Sequence, residues 1–175
     1  MKKAELLEAA YNKGFEKEAT FHGCSSCSFW AIEEVLGPSQ AAEAVYKAAT
    51  GLAGGVGAST EGHCGALTGA SLAIGLRFGR DFSGQEDAEA YAARLDKALD
   101  LSRRLQERFA AKYGTVICKE IHRKLYGRTF NLQDPKEFEE FKAAGAFTTG
   151  CPSVVGTGAR LAVEIILEEE AKASG

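Results

Sequence analysis

Five cysteines stand at positions 24, 27, 64, 118 and 151 of a 175-residue chain, and their settings suggest chemistry. Cys151 precedes Pro152, a residue suited to a helix's first turn, so unpaired backbone N–H groups would face its sulfur. Such a setting favours a thiolate and lowers the thiol pKa. Cys64 also opens a predicted helix. Gly65, Ala66, Gly69, Ala70 and Ala73 after it form a small-residue stripe that admits another helix or a cofactor. Cys118 and His122 lie four apart on one helical face, a spacing that can hold a metal ion. Cys24 and Cys27 share a face if their segment is helical.

Plainer readings stand beside these. A single cysteine in a helical protein is usually a small buried hydrophobe. Such a stripe is more often plain tight helix packing, within the chain or across a homodimer. His63 and His122 read as ordinary histidines, and Phe29, Trp30, Phe138, Phe141 and Phe147 as core. Cys24 reads as the bystander of the five.

Other chemistries are excluded by what is missing. A dinucleotide loop would need glycines at 55, 57 and 60 after a strand, but residue 60 is Thr and no strand precedes it. There is no Gly-Lys-Thr phosphate loop and no histidine pair spaced for a zinc protease. Cys24-Ser25-Ser26-Cys27 is followed by Ser28 rather than His, which excludes c-type haem attachment. A thioredoxin-like motif would need a βαβ context that is absent.

The elements that must position these cysteines read as helices throughout. Leu7, Ala10, Tyr11 and Gly14 mark a first helix over about 3–17. Cys27, Trp30, Ala31 and Val35 mark a second, stopped by Gly37-Pro38, and Ala42 to Ala49 a third, closed by Gly51. A Gly-rich loop follows over about 51–63, then a helix from Cys64 to Phe78. The longest helix is predicted from Gln85 to Tyr113, on Ala88, Ala92, Leu95, Leu99, Leu105 and Phe109. Thr115 to Tyr126 gives a short one, although Val116-Ile117 also suits a strand. Asp134-Pro135-Lys136-Glu137 is a capping box that starts a helix ending near Gly145. The last helix begins at Cys151-Pro152, and Glu168, Glu169 and Glu170 at its negative end predict a frayed tail over about 168–175. The expected fold is all-α: one single-domain bundle of about seven or eight helices.

Composition sets the remaining bounds. At this length a core forms without covalent staples. Ten of the 20 glycines fall between Gly51 and Gly84, around the central cysteine. A net charge of −3 with no basic block argues against a nucleic-acid surface. The uncharged run from His63 to Leu76 is 14 residues, short of the ~20 that span a bilayer, so no membrane span is expected. Met1 to Glu18 carries alternating charges and no apolar stretch, which predicts no signal peptide and a cytoplasmic protein. In a reducing compartment, cysteines are more often reactive or metal-binding than structural disulfides.

The order Cys27, then Cys64-Gly65-Ala66-Leu67-Thr68-Gly69, then Cys118, then Cys151 resembles the C-GCAxxG-C-C family of "putative redox-active" proteins. The likeness extends to Gly75-Leu76-Arg77-Phe78-Gly79, to Arg108-Phe109, to Cys118-Lys119-Glu120 and to Phe147–Pro152, and covers about Ala10 to Glu168. It implies four signature cysteines, Cys27, Cys64, Cys118 and Cys151, and a redox role. Two departures are Cys24, which could act as a resolving thiol for Cys27, and His63 directly before the central cysteine.

Two chemical readings follow. In thiol–disulfide exchange, Cys64 and Cys151 supply thiolates, with Cys27 and Cys118 as exchange partners. That reading needs no cofactor and implies a redox partner protein or a small thiol. In the alternative, the same four cysteines hold an iron–sulfur cluster or zinc, with His63 or His122 as substitute ligands and close approach at Gly65, Ala66 and Gly69. A third, non-redox reading is a helical interaction module whose cysteines only pack.

Overall fold

The computed structural model describes residues 2–81 and 87–173. Eight α-helices follow one another: α1 (Lys3–Phe21), α2 (Cys24–Leu36), α3 (Ala42–Ala49), α4 (Gly65–Phe78), α5 (Ala88–Tyr113), α6 (Cys118–Tyr126), α7 (Pro135–Ala143) and α8 (Cys151–Ala173). Among the described residues there is no strand, and the chain is all-α, as its periodicity predicts.

α8 is the axis of the main core, with α1, α2, α4 and α5 packed around it. Small residues let the backbones meet. A Cβ on Gly14 would lie 2.9 Å from the Gly156 Cα, so α1 and α8 cross on paired glycines. On the far side, a Cβ on Gly158 would lie 2.8 Å from the Ala66 carbonyl oxygen of α4. The stripe after Cys64 serves the same purpose toward α2: a Cβ on Gly69 would stand 1.9 Å from the Ser25 carbonyl oxygen. Within the chain, then, the stripe is a helix-packing surface. The serines of α2 satisfy themselves on neighbouring backbone, Ser25 donating to Ala49 O at 2.7 Å and Ser28 to Ala66 O at 3.0 Å. A mostly buried ion pair between Arg77 and Glu33 ties the other ends of α2 and α4.

Counting the π turn at Ala146–Gly150 that leads into α8, Ala146–Ala173 is long and apolar enough to cross a membrane. Two-thirds of its apolar window (67%) is instead buried inside the protein, because it is the helix the others pack upon.

Four sequence expectations need correction, and one lies outside the described residues. α1 runs past residue 17 to Phe21 and ends where His22 takes a positive φ. The predicted start of the longest helix at Gln85 lies outside the described residues; α5 is described from Ala88, capped by the Asp87 carboxylate accepting from Ala90 N–H at 2.6 Å. Its buried face is Leu101, Leu105 and Phe109, while Leu99 is turned to solvent. α6 starts at Cys118 rather than Thr115, since Val116-Ile117 is extended and Ile117 bridges antiparallel to His63. The acidic tail does not fray over its described length. Arg104 and Arg108 of α5 each reach Glu168 at 2.8 Å, and Lys97 pairs with Glu169, so α8 stays helical to Ala173.

Candidate functional site

Four helix starts and one loop meet at a partly open, largely apolar cavity of about 200 Å³. The main core supplies Cys64, Ile121, Val154 and Val155 to its wall. A second cluster built on Phe130, Phe141 and Ala146 supplies Phe138, Phe141, Phe147 and Cys151. Cys24 and Cys118 complete the sulfur set, and Glu18 and His122 are the buried ionisable side chains among the lining residues.

Local backbone chemistry sets each sulfur. His22 and Gly23 both adopt positive φ, which ends α1 and places Cys24 as the first residue of α2. Cys64 is the N-cap of α4 and Cys118 the first residue of α6. A short antiparallel exchange joins these two, with Cys64 N–H donating to Val116 O at 2.8 Å and Cys118 N–H to Gly62 O at 2.9 Å. The extended Val116-Ile117 pair is therefore what brings two distant cysteines together. Above them the loop runs through five consecutive residues of positive φ, Gly54 to Ala58. Left-handed backbone costs roughly 1–2 kcal/mol per non-glycine residue, and Val56 and Ala58 both bear it. Held this way, Ala53, Gly54 and Ala58 cover the cavity, and the Gly54 N–H donates to the Cys24 sulfur at 3.4 Å.

The other sulfurs also have partners. Cys118 Sγ lies 3.6 Å from His122 Nε2, and Cys151 Sγ lies 3.8 Å from the Tyr126 hydroxyl. Cys27 sits one turn into α2, fully buried and off the cavity wall. Its S–H donates to the His22 carbonyl at 3.2 Å and meets the Glu18 carboxylate.

Burial governs the ionisation of the whole group. It pushes Cys64 up to about 11 and Cys27 to about 12, and raises Cys24, Cys118 and Cys151 as well. Neighbouring Cys64 adds to the rise at Cys24 and Cys118, as does Glu18 at Cys151. The expectation of low-pKa thiolates at Cys64 and Cys151 is thus reversed. At Cys64 no cap hydrogen bond forms, and the Ala66 and Leu67 N–H groups offset only part of the burial. At Cys151 the helix does not begin freely: the π turn lies ahead of it, and the Cys151 N–H already donates to Ala146 O. Desolvation outweighs the helix dipole at both.

The same burial raises Glu18 from 4.5 to about 7, partly offset by the Cys27 contact, and lowers His122 to about 4. Both side chains are nearly inaccessible, at 2% and 3% exposure. Glu18 Oε2 and His122 Nδ1 have no hydrogen-bond partner within the protein, an arrangement that costs about 1–3 kcal/mol for each such group.

The structure thus gathers Cys24, Cys64, Cys118 and Cys151 with His122 on one cavity. Gly65 and Gly69 support it from behind, where a Cβ on Gly65 would stand 2.2 Å from the Cys24 sulfur. His63 is exposed and faces a different groove, beside Leu67 and Thr68. Among the described residues no three His, Cys, Asp or Glu side chains are grouped to hold one metal ion, so a single zinc finds no ready site. Glu18 is the residue that sequence reasoning missed. The stripe of Ala10 and Gly14 reaches Glu18 four residues on, and a carboxylate on that buried face was the available signal.

Fold and site define a helical protein with a cysteine-walled cavity. The chain belongs to the family described as "Putative redox-active protein (C_GCAxxG_C_C)", which it matches over residues 22–165, a span that holds all five cysteines. No curated protein and no solved structure matches it.

Proposed function

We propose that the protein is an electron carrier whose cavity cysteines hold an iron–sulfur cluster. The observation that carries this reading is four cysteines on one largely apolar cavity of about 200 Å³, more than tenfold the ~10–15 Å³ that one water needs. Four thiolates are the usual ligand set for such a cluster. Among the described residues no three such side chains are grouped on a single ion, which favours a polynuclear group over a lone metal. The two unpartnered polar atoms, Glu18 Oε2 and His122 Nδ1, indicate that the wall is incomplete without an occupant. When bound, the cluster would supply one-electron redox chemistry. The chain's own part is to exclude water through Phe138, Phe141 and Phe147, and to direct N–H and O–H groups at the sulfurs, which tunes a potential.

Thiol–disulfide exchange is less well supported, because exchange needs thiolate. With a pKa of about 11, Cys64 is ionised in only about one molecule in ten thousand at pH 7. A bound cation would reverse that cost, since coordination deprotonates a thiol outright.

Anaerobic reconstitution with ferrous iron and sulfide, followed by desalting, tests the reading. Expected are sulfur-to-iron charge-transfer absorption, iron and acid-labile sulfide in a fixed ratio, and a bleaching of the absorption on reduction. Protein that retains no iron or sulfide, yet forms a reversible disulfide between cavity cysteines, would replace this reading with exchange.

A further inference from the structure

Resting on the cluster reading, we infer that Cys24 and not Cys27 is the fourth cluster ligand, alongside Cys64, Cys118 and Cys151, and that Cys27 remains a protonated thiol. The family signature points to Cys27, so the assignment departs from it.

The polar neighbours of each sulfur carry the inference. A ligand sulfur is a thiolate, which accepts hydrogen bonds and cannot donate them. Cys24 receives the Gly54 N–H, at 3.4 Å. Cys151 has the Tyr126 O–H at 3.8 Å, and Cys118 has His122 Nε2 at 3.6 Å, which donates once that nitrogen carries the ring proton. That tautomer leaves His122 Nδ1 as a bare acceptor, matching its lack of a partner. At Cys64, the Ala66 and Leu67 N–H groups lie toward the sulfur.

Cys27 is surrounded the other way round. Its neighbours are two oxygens, the His22 carbonyl at 3.2 Å and the Glu18 carboxylate. With Glu18 ionised, a thiolate there would face two acceptors, offset only in part by the Lys17 charge, whereas an S–H satisfies one of them. Cys27 is also fully buried and absent from the cavity wall, which Cys24 lines. The Gly-rich loop and Gly65 both close on Cys24: one through its N–H, the other by lacking a side chain that would collide with the sulfur.

The test compares Cys24→Ser and Cys27→Ser with the parent chain after anaerobic loading with iron and sulfide, each checked for helical content and unfolding midpoint. Cys27→Ser keeps a donor toward His22 and Glu18 and is expected to load with the parent spectrum and stoichiometry. Cys24→Ser is expected to lose the cluster or to shift its absorption and potential. A measurement on the parent protein needs no variant: its infrared S–H band, assigned by its loss in Cys27→Ser, should survive loading. Loss of that band on loading, or a Cys24→Ser protein that loads normally while a folded Cys27→Ser does not, overturns the assignment and leaves the cluster reading standing. Failure of the parent itself to take up iron and sulfide overturns the cluster reading and this assignment with it.

Discussion

Replacing Glu18 with Gln should change how stability depends on pH, in a way that isolates one buried carboxyl group. Glu18 is 2% exposed, and burial raises it from 4.5 to about 7. Between those two values the folded protein holds a proton that the unfolded chain has released. Raising the pH through that window therefore removes stability, and above about 7 the loss is complete. At about 1.4 kcal/mol per tenfold, the interval corresponds to roughly 3 kcal/mol. In a domain of this size that is roughly 6–12 °C of unfolding temperature. Glu18→Gln keeps the shape and an oxygen to accept the Cys27 S–H, but has no proton to lose. The assay is urea or thermal unfolding of the reduced, metal-free protein between pH 4.5 and 8.5. Loss of the Glu18 charge eases the folded cysteines downward, but burial still keeps them protonated across this range in both proteins, and His122 is shifted by burial alone, so these groups drop out of the difference. The variant should match the parent near pH 4.5 and exceed it by roughly 3 kcal/mol at pH 8. A difference that stays flat across this range would refute the claim that Glu18 is desolvated in the folded state.

Further expectations concern the packing that holds the cavity. Gly69→Ala should destabilise by about 3 kcal/mol, because its Cβ would stand 1.9 Å from the Ser25 carbonyl oxygen, where backbone cannot yield cheaply. Gly75→Ala on the same helix, with nothing within 4 Å of its Cβ, should instead raise stability by about 0.5–1 kcal/mol; equal effects in chemical denaturation would contradict the close α2–α4 contact. Val56→Gly should stabilise by about 0.5–1 kcal/mol, since a β-branched, exposed residue at φ 68° gives up left-handed strain; an unfolding midpoint that falls would argue against the turn. Arg108→Ala removes the contacts to Glu164 and Glu168 and should cost about 0.5–1 kcal/mol, seen as faster amide exchange in the last turns of α8 that high salt reproduces in the parent protein.

Much of this architecture is written in local pattern. The all-α class, the α7 start at Asp134-Pro135 and the α4 and α8 starts follow from periodicity and capping chemistry, which are properties of a few adjacent residues. So does the placing of Cys64 and Cys151 at helix starts, whereas Cys118 stands at one only because Val116-Ile117 is extended ahead of it. The reading of 115–126 as one helix failed because a single β-bridge decides the state of Val116-Ile117, and its partner His63 is over fifty residues away in the chain. The frayed tail failed for a similar reason. Glu168 and Glu169 are unfavourable on α8 alone, but α5 sets Lys97, Arg104 and Arg108 against them.

The sequence by itself determined that this is a helical chain with cysteines at helix ends and a small-residue stripe beside the central one. Only the tertiary structure decided which sulfurs share a cavity, what faces each of them, and that a carboxylate from the first helix is buried among them. The physical reason is that backbone preference acts over a turn or two, whereas a thiol's ionisation depends on everything within a few ångströms. Cys64 and Cys151 look like thiolates when judged from their own helices, and burial by the rest of the fold makes them thiols.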